Sequence, residues 1–214
     1  MIAVRDLIAR RIIPVVVIND PSKARPLADA LVAGGLPIVE VTLRSSNALE
    51  ALREFATMPG MVVGGGTVIN EAQVDAVADT GASFVVSPGL SPAVVRRCQH
   101  HGLPILAGVA NPTDVMAALD LGLTVMKFFP AEPSGGCAAL QALAGPFPQV
   151  RFVPTGGISF ANVRDYLALP TVAAVGGSWM VSPALIEQGD FTTITALTHD
   201  AVALVESLRT EGLR

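Results

Sequence analysis

The chain has 214 residues, 51% of them apolar and 15% charged, a composition that can bury a large core and excludes intrinsic disorder. A formal charge of −4 and a pI near 5.3, with no basic run interleaved with aromatics, argue against nucleic acid or an anionic membrane as partner and leave small molecules. Lysine is scarce: only Lys23 and Lys127 accompany the arginines among fourteen basic residues.

In chain order, Val4 to Arg11 reads as a leading helix. The apolar run Ile12–Ile18 follows Arg10 and Arg11, contains Pro14 and lacks a small-residue cleavage site, so it reads as a strand rather than a secretory signal. No segment approaches the roughly twenty apolar residues of a membrane span, and the cytoplasm is the expected location. Further strand patterns lie at Ile38–Leu43, Met61–Gly65, Phe84–Ser87, Ile105–Gly108, Val125–Phe129, Arg151–Pro154 and Val172–Val175. Most are nearly all apolar, as parallel strands covered on both faces should be. Between them Asn70, Ser91 with Pro92, Asn111 with Pro112, and Ser159 read as helix openings, while Gly34, Gly81, Gly102 and Gly122 read as helix ends. Thr193 to Leu208 reads as a long amphipathic C-terminal helix. Cys98 and Cys137 lack any metal or redox spacing and read as small apolar residues in a reducing compartment. Eight βα units without a linker imply one domain over 1–214, a (β/α)8 TIM barrel with an extra N-terminal helix, the alternative being a doubly wound sheet. In either fold the chemistry belongs at the carboxyl ends of the strands.

Two strands carry charges that their pattern does not call for. Alternation along Ile38 to Arg44 puts Glu40, Thr42 and Arg44 on one face. Glu40 and Arg44 would then stand roughly 13 Å apart if extended, suited to opposite ends of a small substrate. A buried carboxylate is rare unless paired or used, so the alternatives are a catalytic group and an internal polar layer. Lys127 stands among Val125, Met126, Phe128 and Phe129. Desolvation favours the neutral form of an amine, and the neutral amine is the form that attacks a carbonyl to make a Schiff base. The alternative for Lys127 is a snorkelling or ion-paired side chain, with Glu40 as its partner. Glycine pairs follow the late strands, Gly156 and Gly157 after Thr155, and Gly176 and Gly177 before Ser178. At helix N-termini such loops would bind a phosphate. Gly64, Gly65 and Gly66 would let a ligand approach the backbone beside Thr67. His100, His101 and His199 fall on helix patterns, and no metal spacing is present. These features admit a Schiff-base aldolase, a metal-free phosphosugar isomerase or epimerase with Glu40 as base, or a silent sugar-phosphate binder.

The ordered segments Glu40-Val41-Thr42-Leu43-Arg44, Gly64-Gly65-Gly66-Thr67-Val68, Ser87-Pro88-Gly89, Lys127-Phe128-Phe129-Pro130-Ala131-Glu132, Ala144-Gly145-Pro146-Phe147, Pro154-Thr155-Gly156-Gly157-Ile158 and Gly176-Gly177-Ser178-Trp179 resemble the class I 2-keto-3-deoxy-6-phosphogluconate (KDPG) aldolases, which include 4-hydroxy-2-oxoglutarate aldolases. The resemblance spans nearly the whole chain. It implies a (β/α)8 barrel, a homotrimer, no cofactor and no metal, with a 2-keto acid phosphate as substrate. By it Lys127 forms the Schiff base and Glu40 is the general acid/base, through a water. Arg44 and Thr67 hold the carboxylate of the pyruvate half, Pro88 and Phe129 line the pocket, and Thr155, Gly156, Gly157 and Ser178 serve the distal hydroxyl and phosphate. One departure stands out: Asn19 and Asp20 follow the first strand where the family often carries Lys or Arg. The exact substrate among KDPG, its galactonate epimer and 4-hydroxy-2-oxoglutarate stays open.

Overall fold

The computed structural model describes residues 3–210; the ends of the expected 1–214 domain lie outside them. After helix α1 (Val4–Ile8) come β1 (Ile12–Val16), a 3-10 turn (Pro21–Lys23), α2 (Ala24–Ala33), β2 (Ile38–Thr42), α3 (Ala48–Ala56), β3 (Val62–Gly66) and α4 (Glu71–Ala78). The middle of the chain forms β4 (Phe84–Val86), α5 (Pro92–His101), β5 (Ile105–Leu106), β6 (Gly108–Val109), α6 (Pro112–Asp120) and β7 (Val125–Phe128). It closes with α7 (Gly136–Ala144), β8 (Arg151–Pro154), α8 (Val163–Leu167), β9 (Val175–Gly177), α9 (Pro183–Gln188) and α10 (Phe191–Thr210).

The strands pair in parallel, but the expected closed (β/α)8 barrel does not form. A six-stranded sheet runs in the order β5-β4-β3-β2-β1-β9, and a separate three-stranded sheet in the order β6-β7-β8. Two junctions account for the difference. The fifth strand pattern divides at Ala107: Ile105 and Leu106 pair with β4, whereas Gly108 and Val109 pair with β7. The loop after β4 presses on that division, since a Cβ on Gly108 would lie 2.1 Å from the Pro88 carbonyl oxygen. At the other junction β8 meets the β9 segment only through the single bridges Phe152–Val172 and Thr155–Gly176. The expected strand Val172–Val175 therefore yields a ladder only from Val175 onward. Apolar periodicity reports that a segment is buried and extended; it carries nothing about which neighbours complete its ladder.

Local signals explain three of the four helix openings expected from the sequence. The side chains of Asn70, Ser91 and Asn111 accept hydrogen bonds from the backbone N–H of Gln73, Val94 and Asp114, satisfying otherwise orphaned donors. Ser159 is the exception: its N–H donates to Asn162 Oδ1 at 2.8 Å in a turn, and α8 starts only at Val163. At the end of α2, Gly34 has an ordinary right-handed conformation, and glycine is needed there because Thr198 of α10 crosses it so closely that a Cβ would lie 2.6 Å away. Cys98 is buried, which pushes its thiol up to about 12. Among the described residues no helix is long and apolar enough to cross a membrane.

Candidate active site

A cavity of about 430 Å³ opens where the carboxyl ends of β1, β2, β7, β8 and β9 converge. Every residue to which the family resemblance gives a site role lines it: Lys127, Glu40, Arg44, Thr67, Pro88, Phe129, Thr155, Gly156, Gly157 and Ser178. β2 is buried along its full length, so the carboxylate of Glu40 enters the interior where its strand neighbours are Val39 and Val41. β7 delivers Lys127 from the adjoining sheet. The Lys127 Nζ donates to Glu40 Oε1 at 3.4 Å, with the two residues only 6% and 3% exposed. The same Nζ lies 5.1 Å from the centroid of the Phe129 ring, so one side of the amine faces an aromatic wall and the other a carboxylate.

Glu40 reaches this position through an absent side chain. A Cβ on Gly66 would stand 2.3 Å from Glu40 Oε1 and 2.7 Å from its Cγ. Gly64 and Gly65 are filled in the same way by Phe84 and Val77. The glycine run thus admits protein side chains, and the expected approach of a ligand to that backbone is replaced by this packing. Thr67, just beyond, has φ +60, a region that a β-branched residue rarely occupies and that is associated with functional sites.

Arg44 lies beyond the last residue of β2, so the extended separation from Glu40 does not apply. Its Nε donates to Thr42 Oγ1 at 3.3 Å, and Thr42 Oγ1 in turn donates to the Val16 carbonyl at 2.9 Å. Across the cavity, Gly176 leaves room for Thr155, since a Cβ there would meet Thr155 Oγ1 at 2.4 Å. The glycine pairs do not open helices as expected: α8 and α9 begin only at Val163 and Pro183. Any anion at that end would meet loop backbone and the Ser178 and Thr155 hydroxyls rather than a helix terminus. Asn19 and Asp20 turn elsewhere, Asn19 donating to Glu187 Oε1 at 3.1 Å and Asp20 capping Ser22. Among the described lining residues the charged ones are Glu40, Arg44 and Lys127.

The sequence reading missed Val15 and Val17, which line the cavity from β1 and the residue beyond it, and Ile158 and Pro183. The sequence held no signal for the valines, because Val15, Val16 and Val17 are identical in a run that is apolar throughout; only the fold leaves Val15 and Val17 half-buried while Val16 and Ile18 are fully buried. Among the described residues no group of His, Cys, Asp and Glu gathers at metal-binding spacing.

The family model for KDPG and KHG aldolase matches residues 4–197. The 2-dehydro-3-deoxy-phosphogluconate aldolase of Dickeya dadantii is 48% identical over 198 residues, 92% of this chain and 93% of that protein. The KHG/KDPG aldolase of Escherichia coli is 47% identical over 192 residues, 89% of this chain and 90% of the other. In structure, the KDPG aldolase of Legionella pneumophila, solved with pyruvate captured at low pH as a covalent carbinolamine intermediate, superposes with a TM-score of 0.91 at 41% identity, covering 93% of this chain and 98% of that one. The corresponding aldolase of Zymomonas mobilis, solved with 3-phosphoglycerate, gives 0.87 at 46% identity over 94% and 95% of the two chains. With its lysine and carboxylate facing each other across one cavity and a match along most of its length, the chain belongs to the KDPG and KHG aldolase family.

Proposed function

We propose that this aldolase cleaves 2-keto-3-deoxy-6-phosphogluconate to pyruvate and glyceraldehyde 3-phosphate through a Schiff base on Lys127. The observation that carries the reading is the buried pair of Lys127 Nζ and Glu40 Oε1, 3.4 Å apart in the cavity. The amine attacks the C2 keto carbon and, with loss of water, gives a protonated imine. That cation is an electron sink. Glu40, through a water, takes the proton of the C4 hydroxyl; the C3–C4 bond breaks, its electrons flow into the imine as an enamine, and the aldehyde leaves. Glu40 then returns a proton to C3, and hydrolysis frees pyruvate and the amine. Arg44 and Thr67 hold the carboxylate of the keto acid. Pro88 and Phe129 form the walls, and Thr155, Gly156, Gly157 and Ser178 receive the distal hydroxyl and phosphate.

A second substrate, 4-hydroxy-2-oxoglutarate, is favoured by one feature: the described charged lining residues are Glu40, Arg44 and Lys127 alone, with Asn19 and Asp20 turned to other partners. A distal end that offers neutral donors has less electrostatic reason to require a phosphate. Cleavage rates measured side by side on KDPG and on 4-hydroxy-2-oxoglutarate separate the two substrates. The same reading takes the chain as one domain over 1–214, assembling as a homotrimer in the cytoplasm; light scattering of the purified protein tests the trimer.

Borohydride reduction in the presence of pyruvate tests the mechanism. The expected product carries one adduct on Lys127 and none on Lys23, located by peptide mass. An active protein that remains unmodified would falsify the Schiff-base mechanism.

A further inference from the structure

Glu132 ends the Lys127-to-Ala131 segment and takes no part in the chemistry above, yet it supports the loop at the distal end of the cavity. Its backbone N–H donates to the Gly156 carbonyl at 3.0 Å, beside a bond from the Ala131 N–H to the Thr155 carbonyl at 2.8 Å. Its side-chain stem occupies the space that a residue larger than glycine would need at 157, where a Cβ would lie 2.5 Å from Glu132 Cγ. Beyond the stem, Glu132 Oε1 accepts a short hydrogen bond from the Tyr166 hydroxyl on α8. Tyr166 is 1% exposed. Burial, and then the bond to Glu132, hold its phenol above the usual range, so the hydroxyl keeps its proton to donate. From the far side, Asn162 Nδ2 donates to the Gly157 carbonyl at 3.0 Å. The loop is therefore gripped from two sides, while neither Glu132 nor Tyr166 lines the cavity.

We infer that Glu132 and Tyr166 are positioning residues for the phosphate-bearing end of the substrate: the Tyr166 hydroxyl orients the Glu132 carboxylate, and Glu132 sets the backbone of Gly156 and Gly157 that faces the cavity. The inference rests on the aldolase reading, in which the keto acid is held at Lys127 and the distal end at this loop. Loosening the grip displaces the loop and leaves the pocket around Lys127 and Glu40 in place, because those two are delivered by β7 and β2.

The condensation direction reads the two ends separately, since pyruvate enters at Lys127 and glyceraldehyde 3-phosphate at the loop. Tyr166→Phe removes one oxygen and leaves the Glu132 carboxylate without its donor. It is expected to raise KM for glyceraldehyde 3-phosphate about tenfold, as a modest misplacement of binding groups does. KM for pyruvate and the borohydride-trapped adduct on Lys127 are expected to stay near those of the unsubstituted protein. Glu132→Ala is expected to give the same split, more strongly. Glu132→Gln retains the stem and an acceptor for the tyrosine hydroxyl, and is expected to restore the KM for the phosphorylated aldehyde; if Glu132→Ala does not fold, Tyr166→Phe and Glu132→Gln carry the test. Equal rises in both KM values, or no rise in Tyr166→Phe, would overturn the inference while the adduct on Lys127 still forms. Absence of the adduct from the unsubstituted protein would overturn the aldolase reading, and the inference with it.

Discussion

Glu40 stands 3.4 Å from Lys127 because residue 66, paired with Thr42 across the β2–β3 ladder, has no side chain to occupy the same space. Gly66→Ala tests this directly. The new methyl would fall 2.3 Å from the carboxylate oxygen, and Glu40, 3% exposed, has to swing away from the amine. Turnover is expected to fall about a hundredfold, the range of a lost general acid/base, while circular dichroism stays unchanged. A variant with normal turnover would show that Glu40 has slack. Glu40 and Lys127 were legible in the sequence because a charge within an apolar strand breaks a local pattern. The duty of Gly66 was not, since it is defined by a side chain far away in sequence. Glu132 stands within one of the family-like segments but has no role readable there, because the Tyr166 hydroxyl and the Gly157 backbone meet it only in the folded chain.

Between elements, α4 and α5 are joined by a charged clamp. Asp75 accepts from Arg97 Nε at 2.6 Å and Nη2 at 2.9 Å, and lies 2.6 Å from His101 Nε2. The hydrogen bonds from Arg97, and then His101, hold the Asp75 carboxyl down at about 2 against an ordinary 3.8. A depressed acid stabilises the fold above its unfolded value and loses that contribution as pH falls through the folded one. The clamp should therefore be intact above about pH 4 and released as the pH falls through about 2. Asp75 is partly exposed, so solvent screening keeps the effect small. In thermal melts Asp75→Asn is expected to lower Tm slightly at pH 6, with the difference from the unsubstituted protein shrinking as the pH falls through about 2; a gap of constant size would show that the clamp does not titrate. Helix ends behaved in the same local way. Asn70, Ser91 and Asn111 were readable because a cap bonds within its own turn, whereas Ser159 was misread because Asn162, which accepts its N–H, moves the start of α8 to Val163.

Across the whole molecule, the two sheets part where the loop bearing Pro88 rests on Gly108. Gly108→Ala places a methyl 2.1 Å from the Pro88 carbonyl oxygen, which is backbone and can yield only by moving the loop. A loss of about 1–3 kcal/mol, as for overpacked cores, is expected in denaturant titration, together with weaker substrate binding because Pro88 lines the cavity. Unchanged stability would mean that the loop is free to shift. The chain's alternation of apolar strands with capped helices, and the polar residues marking strand ends, were set by the sequence alone, because helix capping and the exclusion of apolar side chains from water act over a few neighbouring residues. Whether the strands join into one ring or two sheets was decided only by tertiary structure, as were the approach of Lys127 to Glu40, the space beside Gly66 and the grip of Glu132 on the distal loop. Each depends on ladder partners and side-chain clearances between segments far apart in the chain, and no local pattern encodes those distances.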